Sequence, residues 1–147
     1  MKVQDILQKK SNQVFTLQPH QTLQQASRIL TTNNIGALLV VNERGHLVGI
    51  LSERDIVRQM AQHGEAVGEL TVGEVMTTDV LITVPDDDIT YLSNTMTNNR
   101  IRHIPVLQDG ELVGIVSIGD VVKAIISDRE FMIAQLQNYI VGEAQVP

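Results

Sequence analysis

The 147-residue sequence contains no cysteine and no tryptophan, only two phenylalanines, two tyrosines and four prolines. Without thiols there is no disulfide, no thiolate nucleophile and no cysteine-based zinc site, a composition that fits a reducing compartment. The core has to be aliphatic. Positive charge is also scarce: eleven Lys and Arg against seventeen Asp and Glu leave a net charge of −6. An acidic domain is repelled by phosphate backbones, so neither nucleic acid nor an anionic membrane surface is an expected partner. No apolar run approaches the ~18 residues of a membrane span, and residues 1–17 lack the basic start and apolar stretch of a secretory signal. The expectation is a soluble, cytoplasmic protein. Hydrophobic residues at 43% and charged residues at 19% are globular proportions, and the length suits one domain with a sizeable core.

What is present is a duplication. Gly45-His-Leu-Val-Gly-Ile-Leu-Ser-Glu-Arg-Asp-Ile-Val57 and Gly110-Glu-Leu-Val-Gly-Ile-Val-Ser-Ile-Gly-Asp-Val-Val122 share one layout. A turn glycine leads into an apolar strand, a serine ends it, and an aspartate three residues later marks the start of a helix. Pro19 and Pro85, Leu30 and Met96, and Val40 and Val106 are each 66 apart; Gly49 and Gly114, Ser52 and Ser117, and Asp55 and Asp120 are each 65 apart. The one-residue change falls between strands, where Glu43-Arg44-Gly45 faces Asp109-Gly110, and turns are where insertions are tolerated.

Each half reads as β-α-β-β-α, an α/β (α+β) arrangement. Short lead-in turns, Val3/Ile6/Leu7 and Val72/Val75/Met76, precede extended pieces ending at Pro19 and Pro85. Helices follow over Thr22–Thr32 and Asp86–Asn98, then hairpins of Ile35–Val41 with Leu47–Leu51 and of Ile101–Leu107 with Leu112–Val116. A closing helix begins at Glu53 or Ile118. The apolar sheet faces need cover, which two similar halves can supply by packing sheet on sheet. The units are residues 1–68, residues 69–126 and a C-terminal extension, 127–147. The polar link His63–Gly68 is short enough to hold the halves as one body. A stripe of Val122, Ile125, Ile126, Ile133, Leu136 and Ile140 runs past the repeat toward Gly142, a candidate helix terminator. It either folds back on its own core or packs on a second chain. Met60, Met76 and Met96 fall on apolar faces and read as core filler.

Chemistry-bearing residues have structural readings too. Ser-x-x-Asp is close to a capping box, though its repetition at two matched strand–helix junctions also points to ligand contact. Asp86-Asp87-Asp88 could hold a metal, but acids after a proline are more simply partners of a helix N-terminus. His103 is either an interior histidine or a phosphate contact. His20, His46, His63 and His103 show no ligand spacing, and no nucleophile–base–orienter set is visible.

The residues Arg102-His-Ile-Pro-Val106, Gly110-Glu-Leu-Val-Gly114, Ser117-x-x-Asp120 and their first-half equivalents resemble a tandem pair of cystathionine-β-synthase (CBS) domains, over residues 1 to about 126. The resemblance extends to small stand-alone CBS pairs, and Asn99–Val106 with Asp128–Ile140 look like a bacterial and plant-organelle subgroup. It implies two repeats around a pseudo-two-fold axis whose cleft takes AMP, ADP, ATP, NADH or S-adenosylmethionine. Carried over, Asp55 and Asp120 are ribose ligands. Ser52, Ser117, Arg102, His103 and Arg54 are phosphate contacts, and Thr16, Leu17, Ile82, Thr83, Val84, Ile104 and Pro105 flank adenine. A helix N-terminus suits phosphate, and a short carboxylate can accept from two ribose hydroxyls.

Because Arg102-His103 is matched by Gly36-Ala37, and Arg54 by Gly119, the second-half site centred on Asp120 is expected to be the better equipped. Arg54 would reach it across the cleft. The function expected is a non-enzymatic regulatory sensor, a homodimer that needs no cofactor and no metal and acts on an unidentified partner protein. The alternatives are a ligand-free interaction module and a small nucleotide-acting enzyme.

Overall fold

Both glycine-led apolar runs are strands, and both feed a helix through a serine cap. The computed structural model describes residues 1–10 and 13–144, with side chains through residue 142. In chain order the first part contains α1 (Val3–Lys9), β1 (Thr16–Leu17), α2 (Leu23–Asn33), β2 (Ala37–Val41), β3 (Leu47–Ser52) and α3 (Glu53–His63). A 3₁₀ turn, Gly64–Glu69, makes the link, and then come α4 (Val72–Val75), α5 (Ile89–Asn99), β4 (His103–Gln108), β5 (Glu111–Ser117) and α6 (Ile118–Ala144).

Register confirms the duplication. Val40 lies opposite Gly49 and Val106 opposite Gly114, and each hairpin shifts register one residue later. The offset change sits in the turns. Asp109 (φ 53°) and Gly110 (φ 79°) form a two-residue loop with both residues left-handed, the geometry that matches strand twist. The first-half turn is longer, and Asn42 Oδ1 accepts from the N–H groups of Arg44 and His46, each at 3.0 Å. Parallel pairing of Leu17 with Val40 has its counterpart in a single bridge between Thr83 and Val106, so the second sheet has two named strands and the first has three.

Each half has its own aliphatic core, but each core borrows a lead-in helix from the other half. Val3 and Ile6 of α1 are buried with Ile89, Leu92, Met96, Ile104 and Val116. Val72 of α4 is buried with Leu17, Leu23, Leu30, Leu38 and Leu51. Backbone contacts repeat the exchange: Val3 and Gln4 N–H donate to the carbonyls of Asp87 and Pro85, and Val72 and Gly73 N–H to those of Gln21 and Pro19. Burying an aliphatic side chain of this size contributes about 1.5–3 kcal/mol, so α1 and α4 tie the halves together as firmly as the link does. The exchange also requires glycine under each lead-in helix. A Cβ at Gly49 would stand 2.5 Å from Met76 Sδ, and one at Gly114 would stand 2.7 Å from Leu7 Cδ2.

β2 is buried along its whole length, as is β4 from Ile104 to Val106. Leu38, Val40, Ile104 and Val106 face the helix-backed cores, so alternation turns Leu39 and Pro105 the other way. Those second faces close the seam between the halves, where a Cβ on Gly36 would lie 3.3 Å from the His103 ring.

Three details differ from expectation. Met60 is 53% exposed rather than core filler, because α3 has no fully buried residue. The final helix does not stop at Gly142 but continues to Ala144, since an interior glycine weakens a helix without ending it. The last residues of the extension, 145–147, lie outside the described residues. Beyond Val121 the apolar stripe of α6 does not fold back on the core: Val122, Ile126, Ile133, Leu136 and Ile140 are 48–64% exposed. Among the described residues no helix is long and apolar enough to cross a membrane.

Candidate functional site

Both Ser-x-x-Asp units are reciprocal caps. Ser52 N–H donates to Asp55 Oδ2 (2.8 Å), Ser52 Oγ donates to the same oxygen (3.0 Å), and Asp55 N–H donates back to Ser52 Oγ (3.3 Å). In the second half Ser117 N–H donates to Asp120 Oδ2 (2.9 Å) and Asp120 N–H to Ser117 Oγ (3.2 Å). The local fold is the same, so what differs is what faces each cap.

Ser52 and Asp55 open on a cavity of about 210 Å³ at the seam. Ile50, Ser52, Glu53, Arg54, Asp55 and Arg58 line it from the first half, and Arg100, Ile101, Arg102 and His103 from the second; Thr77, Asp79, Val80 and Leu81 form a further wall. Four of the chain's seven arginines are gathered there, in a protein of net charge −6. Arg58 lies 3.4 Å from Asp55 Oδ1. Among the described residues Arg54, Arg100 and Arg102 belong to no ion pair. With Glu53, Asp55 and Asp79 on the same wall, the four guanidinium groups leave a small excess of positive charge beside the N-terminus of α3, where an anion is favoured. Arg100 also holds a left-handed backbone (φ 54°) at the end of α5, where the equivalent residue is Asn34 (φ 52°). Asparagine tolerates that conformation better than arginine does, so a long cation stands at the pocket where local preference favours a short side chain.

Asp120 has a different environment. Lys10, just past α1, donates through Nζ to Asp120 Oδ2 (2.7 Å) and to the Ile115 carbonyl (2.8 Å). A separate cavity of about 20 Å³ lies among Leu7, Lys10, Val14, Gly114 and Ile115, and neither Ser117 nor Asp120 lines it. Burial acts to raise the Asp120 carboxyl, but the Lys10 and Ser117 hydrogen bonds outweigh it and hold the group below the ordinary carboxylate value.

Arg102 and His103, expected at the Asp120 site, line the Asp55 pocket with Arg54, while His103 also lies opposite Ser117 in the hairpin and within electrostatic reach of Asp120. The cause is alternation at the start of β4. Ile104 enters the second-half core, so His103 projects to the seam, next to Gly36. Burial lowers the His103 pKa, with Glu53 and Asp120 pulling it up and Lys10 and Arg102 pushing it down. Folding thus favours the neutral ring. The stability it contributes is complete above the ordinary histidine value near 6.5 and is lost as pH falls through that value toward the lower folded one. Chemical denaturation between pH 7.5 and 5.5 is expected to show this loss, and His103→Gln to flatten it.

The expected adenine contacts are not gathered at this pocket either. Leu17 and Ile104 are core residues, and Pro105 is buried at the seam. Thr16 is exposed on β1, and Ile82 and Val84 are exposed on either side of Thr83 in the second half. Thr83 is buried, with Oγ1 donating to Asp87 Oδ2 at 2.6 Å. Thr77, Val80 and Leu81 line the pocket instead. They follow α4, and the match of Met76 to Leu7 was the signal that could have pointed to them. The acidic trio has separate structural partners: Asp86 pairs with Lys2, Asp87 accepts from Thr83 and Val84, and Asp88 caps α5 by accepting from Thr90 N–H.

Comparison with known proteins agrees with this architecture. The CBS domain profile matches residues 3–62 and 72–127. The mitochondrial CBS domain-containing protein CBSX3 of Arabidopsis thaliana is 41% identical over 82% of this chain, which spans 61% of that relative's length. The CBS domain-containing protein YhcV of Bacillus subtilis is 37% identical, covering 75% of this chain and 77% of its own. A crystal structure of a CBS-domain protein from Agrobacterium tumefaciens superposes with a TM-score of 0.82 at 38% identity, over 84% of this chain and 98% of that one. The CBS domain pair of protein MJ0100, solved in complex with 5′-methylthioadenosine and S-adenosyl-L-methionine, superposes with a TM-score of 0.78 at 29% identity, over 87% and 98% of the two chains.

Proposed function

The chain belongs to the CBS-domain family, and on that premise we propose that it is a regulatory module binding an adenosine nucleotide in the Asp55 pocket. The observation that carries this reading is the composition of the pocket wall. A capped helix N-terminus, an acceptor carboxylate and unpaired Arg54 come from one half, and unpaired Arg100 and Arg102 face them from the other. In this reading Asp55 accepts from the ribose hydroxyls, since one of its oxygens caps α3 and the other meets only a distant, exposed Arg58. Phosphate sits by Ser52, Arg54, Arg100 and Arg102, with His103 beside them. The base lies against Ile50, Val80, Leu81 and Ile101. The adenosine compounds in the MJ0100 complex support the ligand class.

The module is read as non-catalytic. Its action follows from the pocket's position, because a ligand touching both halves favours the arrangement in which the two walls are correctly spaced. A partner protein that senses that arrangement is then regulated. The chain is further proposed to act as a homodimer through the exposed stripe of α6.

A thermal-shift panel of AMP, ADP, ATP, NAD, NADH and S-adenosylmethionine at millimolar concentration tests the reading. Ligand at about 100 times its Kd adds about 2.7 kcal/mol, a shift of several degrees. A response to at least one compound is expected, and a flat panel overturns the nucleotide reading. The α6 stripe would then favour a second function, that of a ligand-free dimerisation module.

A further inference from the structure

The lead-in helices are as symmetric as the caps, and they carry opposite charges into the two sites. Leu7 covers Gly114 as Met76 covers Gly49. Three residues after each stands Lys10 in one case and Asp79 in the other. Asp79 lines the open Asp55 pocket. Lys10 instead fills the corresponding space over Asp120, its ammonium held by the carboxylate and by the Ile115 carbonyl. The pseudo-equivalent strand carbonyl, that of Ile50, accepts from Thr77 N–H at 3.0 Å, so backbone alone satisfies it in the first half. The two sites thus share a cap and differ in what the lead-in helix delivers to it, a lysine bonded to the Asp120 carboxylate in one case and an aspartate at the pocket wall in the other.

We propose that Lys10 is the resident occupant of the Asp120 site, so that the chain binds one nucleotide, at Asp55, and the second site is closed by its own ammonium group. A ribose needs the same carboxylate that Lys10 holds, and entry requires breaking a charge-assisted hydrogen bond in a half-buried setting. This inference rests on the nucleotide reading of the Asp55 pocket. It goes beyond it by assigning the stoichiometry and the residue that sets it.

The test is titration calorimetry with ADP on the full chain, for wild type, Lys10→Met and Lys10→Met/Asp120→Asn. Methionine keeps an unbranched apolar stem and removes the charge. Expected stoichiometries are one, two and one per chain. Two sites in the wild type, or no gain of a site in a folded Lys10→Met, overturns the proposal, as does a Lys10→Met variant that loses an existing site, since Lys10 would then be a ligand contact. Should Lys10→Met fail to fold, Lys10→Gln takes its place and keeps a neutral hydrogen-bond donor. If ADP binds to none of the variants while the chain stays folded, the nucleotide reading fails first, and the role of Lys10 as plug falls with it. If ADP binds only once the lysine is removed, the plug stands and the Asp55 assignment falls.

Discussion

Asp55→Ala weakens adenosine nucleotide binding by about 10- to 100-fold, while Asp120→Ala changes it by less than about two-fold. The first figure follows from removing a charged acceptor of ligand hydrogen bonds, worth about 1.5–3 kcal/mol. The second follows because Asp120 is already engaged with Lys10 and Ser117. Calorimetric titration of both variants with the best compound of the panel reads the difference directly. Asp55 is also the third-residue member of the α3 capping box, accepting from Ser52 N–H, so its removal lowers stability as well. Asp55→Asn separates the two roles, since asparagine caps as well but accepts more weakly from ribose. Equal losses in the two alanine variants would mean that both half-sites bind alike, contrary to the geometry.

Leu136→Asp combined with Ile140→Asp converts the protein to a monomer at micromolar concentration, as read by sedimentation equilibrium. α6 is 27 residues long, about 40 Å, and from Val122 onward its apolar residues stand exposed. A contiguous exposed stripe of that length marks an association surface. A second α6 fits it because a two-fold interface needs only one self-complementary patch. Placing a carboxylate in a desolvated seam is costly enough to break the contact. The wild type is therefore expected to be a dimer whose melting temperature rises with concentration, and the double variant to lose that dependence. A wild-type monomer, or an unchanged dimer in the variant, would show that α6 is not the interface.

Much of the molecule was legible from local pattern. The duplication, the strand–cap–helix units and the offset change at the turn were visible because they depend on residues near one another in sequence. Ser52 with Asp55 and Ser117 with Asp120 hydrogen-bond across three residues, so their caps could be read directly. The exchange of α1 and α4 was not legible. Their apolar residues say that each must be buried, but not against which half. Nor was it legible that Arg102 and His103 would reach the Asp55 pocket. They belong by sequence to the repeat that carries Asp120, yet the side of β4 from which His103 projects faces the other repeat.

The sequence by itself determined two β-α-β-β-α repeats, an aliphatic core without disulfides and a pair of serine–aspartate helix starts. These follow from periodicity, composition and short-range hydrogen bonding. Only the tertiary structure decided which cap faces the seam pocket and which has its carboxylate bonded to Lys10. That choice depends on where Lys10 and Asp79 are delivered by helices that cross between the halves, and on which cap the arginines meet across the seam. Both are contacts between residues distant in the chain, which local pattern does not encode.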